Sequence, residues 1–209
     1  HKSWVVQLAD RPVSRLDSAV CRGTFSGGGT IDEPIGRHPT SRIKMAVVPD
    51  GKAAVTHYRI AQRFGAHTNL DVSLESGRTH QIRVHLAVRK HPLVGDPVYG
   101  GRATRPTGAS ERLLSTLTTF SRQALHAREL TFLHPGSSES MHFSAPIPAD
   151  LADLIQCLAE EDPALPRCPI SSMAHTRWPT LAFAEASHSR IASRRAAAPA
   201  ASSRSWRSA

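Results

Sequence analysis

Asn69-Leu70-Asp71-Val72-Ser73-Leu74-Glu75-Ser76-Gly77-Arg78-Thr79-His80-Gln81-Ile82-Arg83-Val84-His85-Leu86 contains the change of period that decides the fold. Leu70, Val72 and Leu74 alternate with polar residues, the signature of a strand with one buried face. After Ser76-Gly77, the residues Ile82, His85, Leu86 and Arg89 fall at helical spacing. Thr79 is placed to cap the first turn, and Pro92 to stop the helix.

Upstream, Ala53 to Phe64 alternates and reads as a strand, as does Val13 to Phe25 leading into the Gly27-Gly28-Gly29 turn. His1 to Arg11 reads as the end of a helix. Downstream, 100–110 is a Gly/Pro loop and Ser110 to Phe120 a short helix. Leu130 to His134 and Met141 to Ala145 flank Pro135-Gly136-Ser137-Ser138 and predict a hairpin. Pro148 suits a first helical position, followed by the stripe Leu151, Leu154, Ile155 and Leu158. The pattern is α+β, a mixed or antiparallel sheet with helices packed on it. Residues 1–162 read as one domain and 163–209 as a Ser/Ala/Arg-rich disordered tail.

Charge is segregated along the 209 residues. Residues 1–128 carry net +10, residues 129–163 net −7 and residues 164–209 net +6, which sum to +9. A basic excess over the first segment points to an anionic partner, nucleic acid before membrane. No apolar run approaches the ~20 residues of a membrane helix. Three scattered cysteines, Cys21, Cys157 and Cys168, argue against a disulfide framework or a paired-cysteine metal site and fit a reducing, cytoplasmic setting.

The chemistry concentrates in Gly77 to His85. Arg78 and Arg83 flank a strand-to-helix junction with His80, Gln81 and His85, suited to phosphate or carboxylate. The alternative is a solvated, mixed-charge helix start. His80 and His85 are five apart, poor spacing for a shared metal. Asp96, in Gly95-Asp96-Pro97-Val98-Tyr99-Gly100, reads as a turn-stabilising acid, with catalytic acid as the other reading. His38-Pro39-Thr40-Ser41-Arg42 with Lys44 is a basic loop that either touches a phosphate backbone or is merely exposed. Tyr58 and Tyr99 stack on a base or are buried strand aromatics.

Several of these stretches together resemble the RluA family of pseudouridine synthases: Gly29 to Ile35, Arg37 to Thr40, Ala54 to Tyr58, Gly77 to His85, His91 to Gly100, Arg122 to Ala127 and Ala145 to Pro148. The resemblance implies isomerisation of uridine to pseudouridine in RNA without cofactor or metal. It implies 23S rRNA of the large ribosomal subunit as partner and a cytoplasmic monomer with no membrane association. A flipped uridine is attacked by an Asp carboxylate, which an Arg keeps ionised and aimed. By motif position that Arg is Arg83. Ile82 matches the aliphatic residue near the base, and Arg78, His80 and Gln81 shape the site or reach phosphate.

Two features depart from the family pattern. The His-Arg-Leu-Asp motif of the nucleophile does not occur in these residues. Ser14-Arg15-Leu16-Asp17 lies far closer to Gly29 than the family's Asp does, and alignment through Ala19-Val20 and Gly23 puts Asp17 where the family has a base-stacking Tyr. The expectation is an N-terminally truncated, catalytically silent chain. A non-catalytic RNA-binding remnant is the alternative.

Overall fold

The computed structural model describes residues 13–101 and 105–161. The helix expected over His1–Arg11 and the tail after Pro163 lie outside the described residues, as does Cys168. The elements are β1 (Ser14–Arg22), β2 (Gly29–Asp32), β3 (Ile35–Arg37), β4 (Met45–Val47), β5 (Val55–Phe64), β6 (His67–Leu74), α1 (Gln81–Val88), α2 (Glu111–Thr119), β7 (Leu125–Leu133), β8 (Ser140–Ser144) and α3 (Ala149–Glu160).

Six strands form one sheet in the order β2-β5-β6-β1-β7-β8, every pair antiparallel. β3 and β4 form a separate hairpin. The hydrophobic alternation predicted β1, β5, β6, β7 and β8. The three short strands β2 to β4 escaped it, because three or four residues are too few to display a period.

Alternation along β1 assigns the two faces of the sheet. Ala19 and Cys21 point into a cluster with Leu70, Val72, Leu93 and the α1 residues Ile82 and Leu86. Val20 points the other way, into a cluster with Phe64, Val94, Leu113, Leu117, Leu151, Leu154 and Leu158. α1 thus covers one face, while α2 and α3 pack together on the other. Burying each of these Leu side chains contributes about 1.5–3 kcal/mol relative to exposure. Val84 faces a third cluster with Ile35, Ala54, Met45 and Val47, so α1 is wedged between the sheet and the β3–β4 hairpin.

Local signals were partly corrected. Ser110 caps α2 by accepting the Leu113 N–H at 3.2 Å. Thr79 does not cap α1: the N-cap is His80, in the left-handed region at φ 59°, with no side-chain cap bond. α1 ends at Val88, before Pro92, with Lys90 reversing the chain at φ 64°. Pro148 is the N-cap of α3 rather than its first helical residue. Arg122 grips Asp150 in the first turn of α3 with two hydrogen bonds, 2.6 and 2.8 Å.

Candidate active site

α1 presents Arg83 to the loop that follows it. The guanidinium donates from Nε to Asp96 Oδ2 at 2.8 Å and from NH2 to Asp96 Oδ1 at 2.7 Å, a fork on a planar carboxylate. The Asp96 side chain is fully buried and that of Arg83 is 11% exposed. Asp96 Oδ1 also accepts the Val98 and Tyr99 N–H groups at 2.8 and 2.9 Å. The turn-stabilising reading of Asp96 is therefore right, and the same carboxylate does a second job that its sequence context did not reveal. Burial pushes the Asp96 carboxyl up; the Arg83 and backbone hydrogen bonds and the Arg83 charge outweigh it and hold the group below the usual carboxylate range.

Two glycines make this turn possible. A Cβ at Gly95, where φ is +68°, would run into the Arg122 carbonyl oxygen. A Cβ at Gly100 would run into the carbonyl oxygen of Asp96 itself.

Tyr99 completes the cluster. Its ring lies 5.0 Å from the Arg83 guanidinium, within cation–π range. Its hydroxyl accepts the Met45 N–H of β4 at 2.8 Å and lies 3.0 Å from His80 Nδ1. Burial, followed by the Arg83 charge, lowers the His80 pKa and so favours the neutral ring beside the Tyr99 hydroxyl. The αL conformation of His80 costs about 1–3 kcal/mol, and the Tyr99 bond and Gln81 anchoring hold it. Tyr99 is thus not a strand aromatic; it ties α1, the turn and the hairpin together.

Gln81 is buried and fully used. Its Oε1 accepts Ser76 Oγ–H and Arg78 N–H, both at 3.0 Å. Its Nε2 donates to Val55 O at 2.9 Å and Thr56 Oγ1 at 3.1 Å. Thr56 Oγ1 in turn lies 2.9 Å from Nδ1 of the fully buried His85, whose Nε2 donates to the Glu33 carbonyl at 3.0 Å. Burial lowers the His85 pKa, which agrees with a neutral ring accepting from Thr56. This relay fastens the start of α1 to β5.

The other predicted residues fall around this centre. Ile82 is buried under α1. Arg78 is exposed and donates from Nε to Ala53 O at 3.0 Å. Asp17 is 4% exposed on the α1 face of β1, beside a bulge that follows Leu16. Burial raises its pKa, and the nearest cation, Arg15 Nε at 3.1 Å, opposes this. The cation beside it is Arg15; Arg83 holds Asp96 instead. Among the described residues no group of His, Cys, Asp and Glu could hold a metal ion. No described helix is long and apolar enough to cross a membrane.

The family model described as RNA pseudouridylate synthase matches residues 7–88, which include the Gly77–His85 stretch. Ribosomal large subunit pseudouridine synthase D of Escherichia coli K12 is 56% identical over 154 residues, 74% of this chain and 47% of that protein. Over these residues the chain is similar to RluA-family pseudouridine synthases. The proteins of the same description from Xanthomonas campestris and Pseudomonas aeruginosa are 55% and 52% identical, over 75% and 77% of this chain and 47% and 50% of theirs. The chain thus spans about half the length of the curated relatives it matches. Among solved structures, human RNA pseudouridylate synthase domain containing 1 superposes with a TM-score of 0.58 at 27% identity, over 75% of this chain and 63% of that one. The human domain containing 4 protein gives 0.56 at 21% identity, over 74% of this chain and 65% of that one, and supports the fold. The fold is that of a pseudouridine synthase domain, and Arg83 is seated on Asp96 at the edge of α1.

Proposed function

We propose that this chain is the RNA-facing part of an enzyme that isomerises uridine to pseudouridine in 23S rRNA of the large ribosomal subunit. The observation that carries the reading is Arg83. Its Nε–NH2 edge is fixed by Asp96, while NH1 makes no hydrogen bond to the described residues and remains able to take a second anion. A guanidinium held this way is suited to keep a nucleophilic carboxylate ionised and aimed. In the reaction the N1–C1′ bond of uridine breaks, a C5–C1′ bond forms, and the C5 proton is lost as N1 gains one. No net oxidation occurs, so no redox cofactor is needed. Ile82 backs the wall beside the base, and Arg78, His80 and Gln81 set the loop before α1.

A second reading has its own observation. No His-Arg-Leu-Asp sequence occurs in the 209 residues, and Asp17, at the position of the stacking Tyr, is engaged by Arg15. On that reading these residues bind RNA without turnover. Tritium release from 23S rRNA labelled at uridine C5, measured with filter retention of the same RNA, tests both. Retention with release that is lost in Arg83→Ala is expected of the enzyme. Retention without release supports the second reading, and failure to retain RNA contradicts both.

A further inference from the structure

Between the β3–β4 hairpin and the loop before α1 lies a groove of about 560 Å³, lined by Arg37, Met45, Asp50, Gly51, Lys52 and Arg78. That volume suits a nucleotide-sized group. Five arginines elsewhere are each matched to a carboxylate: Arg15 to Asp17, Arg83 to Asp96, Arg112 to Glu160, Arg122 to Asp150 and Arg128 to Asp71. Arg37, Lys52 and Arg78 have no carboxylate partner among the described residues. Three cations left uncompensated around one concavity repel each other, and an anion is what relieves the repulsion.

The cations are also partly preset. Arg78 spends Nε on the Ala53 carbonyl, which fixes the guanidinium while NH1 and NH2 make no bond to the described residues. Lys52 is exposed, and its backbone is pinned by reciprocal 2.9 Å hydrogen bonds to Ile35. Arg37 lends NH1 to the Arg42 carbonyl at 3.4 Å. The groove adjoins the Arg83 cluster, since Met45 lines it and donates to the Tyr99 hydroxyl. The basic loop 38–44 rises from the same hairpin, though His38 Nδ1 is occupied in accepting the Thr40 and Ser41 N–H groups.

We infer that this groove is a phosphodiester subsite in which Arg37, Lys52 and Arg78 hold the RNA backbone next to the nucleotide that reaches Arg83, with Asp50 as the one repulsive group at its rim. The inference rests on RNA being the partner, and it adds where the strand lies. It predicts non-specific backbone contacts that are sensitive to salt.

The test is fluorescence anisotropy of the full chain with a labelled 23S rRNA stem-loop across NaCl concentrations. Lys52→Gln and Arg78→Gln should each weaken binding several-fold for any RNA sequence and lower the log K against log[NaCl] slope by roughly 0.7–0.9. Asp50→Asn should tighten binding. Arg89→Gln, an exposed cation beyond the other end of α1, should leave both readings unchanged. Lys52 has no side-chain partner, so Lys52→Gln keeps the fold and the test stands if Arg78→Gln does not. Inorganic phosphate at matched ionic strength should not displace the RNA; displacement would mark a free-phosphate site and overturn the assignment. Unchanged slopes in the groove variants, losses equal to that of Arg89→Gln, or no RNA binding by the wild-type chain would overturn it too. RNA binding with groove-dependent slopes but no tritium release would count against turnover alone and leave the subsite standing.

Discussion

The two faces of the central sheet are built on different principles. The face under α2 and α3 is held mainly by apolar side chains such as Val20, Phe64, Leu113, Leu117, Leu151 and Leu154, with Ser18 and His67 as its buried polar residues. The face under α1 buries Asp17, Thr56, Gln81, His85 and Asp96 beside its apolar cluster. Every one of those polar groups has a partner, and no described buried side-chain N or O atom lacks one. Apolar burial is non-directional and tolerates repacking, whereas a paired polar core fixes one arrangement. Stability and positioning are thus carried largely on opposite sides of one sheet.

Removing the key partner on the α1 side should break the comparison most sharply. Asp96→Ala leaves Arg83 nearly buried without a counter-charge and removes the acceptor of two turn N–H groups. Chemical denaturation should show a loss of about 3–5 kcal/mol, and RNA binding by the folded fraction should fall as well. On the opposite face, Leu154→Ala should cost about 2–5 kcal/mol by cavity formation, with RNA affinity of the folded protein unchanged. A matching loss of affinity would show that the two faces are not separable.

A pH series sharpens the contrast from the other direction. Alternation along β6 puts His67 on the α2–α3 face, where burial and then the Arg22 charge lower its pKa from 6.5 to about 4. The unfolded chain therefore binds the proton more readily between about pH 6.5 and 4. Stability is full above that window and falls through it, by up to about 3 kcal/mol from this residue. His67→Phe should flatten the pH dependence of denaturation midpoints over that range.

The smallest effect is expected at Asp17. Burial raises its pKa, so the folded state binds the proton more readily just above the unfolded value of 3.8, and ionisation at neutral pH opposes folding. Asp17→Asn keeps an acceptor for Arg15 and should raise stability at pH 7 on the order of 1 kcal/mol. Destabilisation would mean that the charge itself holds the bulge in β1.

Legibility in the sequence followed the same division. Long strands and amphipathic helices announce themselves by period, so β5, β6, α2 and α3 were readable, and so was the Gly77–His85 stretch as the place of chemistry. The Arg83–Asp96 fork was not, because the two residues lie thirteen apart across a chain reversal at Lys90, and no spacing rule joins them. Tyr99 was legible only as an aromatic; its hydroxyl finds Met45 fifty-four residues away, through a hairpin too short to predict. The groove was invisible for the same reason, since Arg37, Lys52 and Arg78 meet only once β3 and β4 pair. Residue types pointed to an anion; the tertiary pairing selects which cations are left for it.

Hydrogen–deuterium exchange of the full chain with and without a 23S rRNA stem-loop tests the division between faces most directly. The account predicts added protection in residues 35–52 and 76–101, with none in α2 or α3. Protection confined to 111–119 and 149–160 would contradict it.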